Sequence, residues 1–148
     1  MRFGVSFFVL AAINSAPTPA EDLRTRQADV CIDFSASAQA RIESCSWLIG
    51  RGGLRTANLA IAHHNRGVAR QDLGDFAGAL ADLTAAIQLA PSARAYFARG
   101  WLRCELSWQA ADRGDAAGSR AALANGEADL RRAIAIDPSV GSLEGFCY

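Results

Sequence analysis

The sequence predicts an all-α protein in which antiparallel helix hairpins stack into a short solenoid. Three sets of internal matches carry this prediction. Arg66-Gly67-x-x-Arg70 recurs 33 residues on as Arg99-Gly100-x-x-Arg103. Gly74-Asp75-x-Ala77-Gly78 recurs 40 residues on as Gly114-Asp115-x-Ala117-Gly118. Ala81-Asp82-Leu83-x-x-Ala86-Ile87 and Pro91-Ser92 recur 47 residues on, at Ala128 to Ile134 and at Pro138-Ser139. The offset thus grows by seven on each side of a Gly-Asp turn. Two helices joined by that turn show this pattern when each is lengthened by about two helical turns. Such an insertion turns the facing side by only about 20°, so the hairpin keeps its register.

The N-terminus reads as an export signal. Arg2 precedes an apolar run from Phe3 to Ile13, too short to span a bilayer. Thr18-Pro19-Ala20 supplies small residues before the acidic Glu21-Asp22, which places cleavage after Ala20 and a signal peptide over residues 1–20. That address implies a periplasmic or secreted protein with no stable membrane insertion once the signal is removed.

Residues 21–56 form an N-terminal segment with one predicted helix. Ser35 or Ser37 caps it, and it runs to about Ile49, with Ile42, Cys45 and Ile49 on one face. The glycine-rich loop at 50–53 follows. It reads as the second half of a degenerate repeat. The first full unit, 57–92, has a helix over 57–73, a turn with Gly74 as C′ residue and Asp75 as N-cap, and a return helix carrying Leu80, Leu83 and Ile87. Pro91 ends it and Ser92 caps the next helix. The second unit, 93–139, repeats this plan in lengthened form, with a helix over 93–113, Gly114 and Asp115 at the turn, Leu130 and Ile134 on the return, and Pro138-Ser139 at the end. Gly67 and Ala86 are small where helices must approach closely. The tail, 140–148, carries Leu143, Phe146 and Tyr148 and is expected to form a brief cap over the end of the stack.

These features resemble the tetratricopeptide repeat, a helix–turn–helix unit of about 34 residues. The first unit carries the resemblance in Arg66-Gly67, Gly74-Asp75-Phe76, Ala79, Leu83, Ala86 and Pro91. The second carries it in Tyr96, Arg99-Gly100, Gly114-Asp115, Leu130, Ala133 and Pro138. His63 stands where an aromatic is usual, Arg70 where tyrosine is usual and Gly126 where alanine is usual. More loosely, the stretch from Cys31 to Ile49, followed by Asn65-Arg66-Gly67, is similar to small exported repeat proteins of bacteria.

The resemblance implies a right-handed stack whose first helices line a concave groove for an extended peptide or a partner helix. Transferred to this chain, that face holds His64, Asn65, Val68, Gln71 and Asp72, then Arg94, Phe97, Trp101, Glu105 and Trp108. Phe97, Trp101 and Trp108 would form an aromatic stripe, beside Arg94 and Glu105. Aromatics and arginine commonly dominate interface energetics. A chaperone-type carboxylate clamp needs lysines, and every basic residue here is arginine. The same stripe, sealed internally, would instead suit a structural module that associates with itself.

The remaining chemistry is sparse. Fifteen acidic residues balance fifteen basic ones and the two signs interleave, which leaves no basic stripe for nucleic acid. No nucleophile elbow, phosphate loop or zinc-protease motif is present, and the reading is of a non-enzyme without cofactor or metal. His63 and His64 are adjacent, so a helix points them to different sides. Four cysteines in an exported chain allow three pairings, and helix packing favours Cys31 with Cys45 and Cys104 with Cys147; buried free thiols are the alternative. Arg66 with Asp82, and Arg99 with Asp129, hold matching places on facing helices and are expected to bridge within each hairpin.

Overall fold

The computed structural model describes residues 18–141 and Cys147. Six α-helices are present among them: α1 (Pro19–Ile32), α2 (Ala38–Arg51), α3 (Thr56–Asp72), α4 (Phe76–Leu89), α5 (Ala93–Asp112) and α6 (Ala116–Ile136). A 3-10 turn, Pro138–Val140, follows. Each helix packs on the next, and α1 on α3 and α3 on α5 also touch, which is the arrangement of three stacked hairpins. The all-helical solenoid read from the repeat offsets is the observed architecture.

The Gly-Asp motifs explain themselves in atomic terms. Gly74 and Gly114 both take φ of 77°, the left-handed conformation that ends a helix. Asp75 then accepts from the Gly78 amide at 2.9 Å, and Asp115 from the Gly118 amide at 2.8 Å. A Cβ on Gly78 or Gly118 would collide with the capping carboxylate itself. The whole pentapeptide is therefore one device: stop, cap and clearance for the cap. From Ala93, the counterpart of Ala60, α5 runs on to Asp112, and α6 has 21 residues against 14 in α4. The second hairpin is lengthened on both arms, as the offsets require.

Gly126 departs from the repeat pattern for a packing reason. A Cβ there would lie 3.0 Å from Cys104 Sγ and 3.0 Å from the Gly100 carbonyl, and one on Gly100 would lie 3.0 Å from the Gly126 carbonyl. Two glycines let α5 and α6 cross closely and leave room for the Cys104 sulfur. Gly67 does the same for α3 and α4, where its Cβ would press on Leu83, Asp82 and Ala79.

The N-terminal segment differs from its expected form. It holds two helices, because residues read as a cleavage site also make a helix start. Thr18 and Glu21 form a reciprocal capping box, and Pro19 occupies the first helical turn. α1 lacked a periodic apolar signal because it buries only Cys31. Ser37, rather than Ser35, caps α2 by accepting from the Ala40 amide, while Ser35 donates to Asp33. The buried stripe of α2 is Arg41, Ser44, Cys45 and Leu48, with Ile42 and Ile49 only half-buried. At the other end Asp137, not Ser139, caps the 3-10 turn. Residues 1–17, which contain nearly all of the expected signal peptide, lie outside the described residues, as do Leu143, Phe146 and Tyr148 of the tail.

Both favoured disulfides are present, Cys31–Cys45 and Cys104–Cys147. The first pins α1 to α2 within a cluster with Leu48 and Ala62. The second brings Cys147 onto α5, beside Leu130, Phe97 and Leu123. The two expected Arg–Asp bridges are present as well. Arg66 forks onto Asp82 at 2.7 and 2.8 Å, and Arg99 onto Asp129 at 2.8 and 2.8 Å. Each fork has a third contact that the sequence did not announce. Arg66 reaches Ser46 on α2 at 3.1 Å, and Arg99 reaches Thr84 on α4 at 3.1 Å. One guanidinium therefore ties three consecutive helices, and the arrangement repeats along the stack.

A candidate docking face on α3 and α5

The expected groove residues divide into three groups. His64 and Asn65 are buried, at 7% and 3% exposure. They line a pocket of about 200 Å3 between α3, the end of α4 and the start of α5, with Arg94 at its mouth. Burial, with a smaller push from the Arg94 charge, holds His64 at a pKa of about 4. The imidazole is therefore neutral at physiological pH, and its buried Nδ1 has no hydrogen-bond partner.

The middle group links the two helices. Gln71 Nε2 donates to Glu105 at 2.9 Å, so α3 and α5 present one continuous face there. Val68 is half-buried beside them. Asp72 is committed elsewhere: it takes a hydrogen bond from the buried Arg41 of α2, whose guanidinium stacks on Phe34.

The aromatic group lies toward the far end of α5. Trp101 and Trp108 meet edge to face, with ring centroids 6.3 Å apart and planes at 87°. They stay 39% and 42% exposed, so neither is a core residue. Phe97 is half-buried and packs into the Cys104–Leu130–Cys147 cluster. Trp108 Nε1 donates to the Cys147 carbonyl at 3.3 Å. The disulfide thus brings the chain near its C-terminus against the stripe.

His63 stands where the repeat usually has an aromatic. It instead donates from Nδ1 to Asp82 at 2.8 Å, within the Arg66 ion pair. Arg70 also reaches Asp82, and Arg103 reaches Asp129, at 2.8 and 2.6 Å. These second arginines were visible in the repeated Arg-Gly-x-x-Arg motif, but nothing local gave them a role. All four cysteines are in disulfides. Among the described residues no cluster of His, Cys, Asp or Glu could hold a metal, and no helix is long and apolar enough to cross a membrane.

The face was not wholly legible in advance. A cavity beside α1 escaped notice because α1 itself had no periodic signal. Asn58 and Ile61, in the first and second turns of α3, line it.

Residues 60–93 match the tetratricopeptide repeat family model. The match covers α3 from Ala60 onward, all of α4 and the first residue of α5. No curated protein and no solved structure matches the chain. The family is typically a non-enzymatic scaffold for protein contacts, and the hairpins on both sides of the matched repeat are also packed helix pairs. The chain thus contains a segment similar to the tetratricopeptide repeat, set among further helix hairpins.

Proposed function

We propose that the protein is an exported interaction module, acting as a scaffold, adaptor or assembly factor in a bacterial envelope. Its partner is a peptide or helix docked on the concave side, across His64, Asn65, Val68, Gln71 and Asp72 of α3 and Arg94, Phe97, Trp101, Glu105 and Trp108 of α5. The observation that carries this reading is the Trp101–Trp108 pair, two large aromatics in edge-to-face contact and about two-fifths exposed on α5. Tryptophans in such a setting supply contact area at little entropic cost. No cofactor or metal is needed for docking.

The two disulfides are compatible with export, since disulfides persist in oxidising compartments. Cleavage after Ala20 would remove the Thr18 cap and open the first turn of α1. The mature chain would then begin with a frayed turn ahead of a helix still anchored by Cys31.

A second reading has its own support. Cys147 already sits against Cys104 and Trp108, which suits a stripe sealed by the chain's own tail in a structural or self-associating module. Capture from an envelope fraction separates the two readings. Trp101→Ala, compared with wild type at matched thermal stability, is expected to lose a partner that wild type retains. A hot-spot tryptophan costs about 2 kcal/mol or more, roughly a thirtyfold loss of affinity. The same catch from both proteins, with a molecular size that rises with concentration, would favour the sealed module.

A further inference from the structure

A second cavity adjoins the His64 pocket. It has a volume of about 530 Å3 and lies between α1, the end of α2 and the first half of α3. Ala28, Ile32, Leu48 and Leu54 give it an apolar floor, and Ile61 forms part of both cavities. Ile61 is 50% exposed, a ridge of bare apolar surface between two hollows. Together they make one groove from α1 across α3 to the start of α5.

The charge of this groove is one-sided. Arg24, Arg55 and Arg94 line it, and no Asp or Glu does. The whole chain balances acids and bases evenly, so this is a local positive field. Arg55 and Arg94 are exposed and make no ion pair among the described residues; Arg24 is engaged only with the Gly53 carbonyl, at 3.0 Å. The field has a further source. Arg55 is the N-cap residue of α3, no side chain caps that helix start, and the positive end of the helix dipole therefore lies at residues that line the cavity. His64, whose buried Nδ1 has no hydrogen-bond partner, lines the smaller hollow.

We propose that this groove binds an acidic segment of a partner protein, seating apolar side chains on either side of Ile61 and carboxylates on Arg55 and Arg94. The apolar hollows account for affinity and the arginines for selection by charge, a division common at docking sites. The proposal rests on the reading of the concave side as a docking face, and it names both the end of that face and the chemistry of its occupant.

The test is selection of a displayed library of random short peptides on the oxidised full-length chain. Winners are expected to combine Asp or Glu with at least two large apolar residues. Their binding should weaken with added salt and fall by about tenfold or more on Arg55→Glu with Arg94→Glu. Both arginines are exposed and unpaired, so thermal melting of the double variant should match wild type. Ile61→Ala should weaken the same peptides with no change of their charge preference. Neutral or basic winners, or acidic winners indifferent to the arginine reversal, would overturn the proposal. Winners that depend on Trp101 and not on the arginines would overturn it while leaving the concave docking reading intact. No enrichment over an unrelated protein would count against both.

Discussion

Asp82→Ala is expected to destabilise the protein by about 3 kcal/mol, a fall in Tm of roughly 10 °C. Asp82 is 3% exposed and receives Arg66, Arg70 and the His63 ring. Deleting the carboxylate leaves Arg66 with only Ser46, Arg70 with only the Gly78 carbonyl and a distant Asp75, and the His63 N–H without its acceptor. The loss exceeds that of an ordinary ion pair, because the cations left behind are largely buried. Arg70→Ala should cost less, since Arg70 is more exposed than Arg66 and Asp82 would keep the Arg66 fork. Equilibrium unfolding of the two variants checks the order. An Asp82→Ala protein as stable as wild type would mean that the forks are ornaments of a core that holds without them.

The same cluster sets a pH dependence. Burial alone would raise the Asp82 pKa, but the hydrogen bonds from Arg66 and His63, and the charges of Arg66 and Arg70, together hold it below its ordinary 3.8. A depressed folded-state value means the ionised carboxylate favours folding above 3.8. That contribution is lost as pH falls through the lower folded-state value. Acid unfolding of wild type should therefore show a component in this range that Asp82→Ala lacks.

Cys147→Ser carries the other large expected effect, a destabilisation of about 4 kcal/mol on loop-closure entropy. The bond joins residues 43 apart, against 14 for Cys31–Cys45, so its loss frees the longer loop in the unfolded chain. Opening the first disulfide should cost about 3 kcal/mol on the same argument. The larger variant has an optical signature too. Trp108 donates to the Cys147 carbonyl, so releasing that end should expose the indole and shift its emission to the red. Unchanged stability and an unchanged emission maximum would show that the C-terminal end is held by contacts other than the bond.

The fold was largely legible because repetition amplifies weak signals. A single Gly-Asp pair says little, but two of them, flanked by matches at offsets that grow by sevens, fix the helix pairing and the lengths of the arms. The Arg66–Asp82 and Arg99–Asp129 bridges followed from the same alignment. Their third contacts did not, because Ser46 and Thr84 lie on the preceding hairpins and share no motif with the arginines they meet. α1 was missed for a different reason. It buries one residue and leaves Leu23 and Ile32 about half exposed, so it has no apolar stripe to detect. Its only clear marks, Thr18, Pro19 and Glu21, suit a signal-cleavage site equally well. The groove built on α1 could not be foreseen without it. The fate of His64 and Asn65 was also hidden, since a helix position alone does not tell whether the neighbouring hairpin leans over it.

The central claim is that partners meet the inner side of the stack. The most direct measurement places a photo-crosslinking residue, in the native envelope, at positions 61, 94 and 101 on the inner side and at 81 and 88 on the exposed side of α4. The account predicts adducts with one partner protein from the inner positions and none from the α4 positions. Adducts only with a second copy of the chain, or equal labelling from both sides, would contradict it.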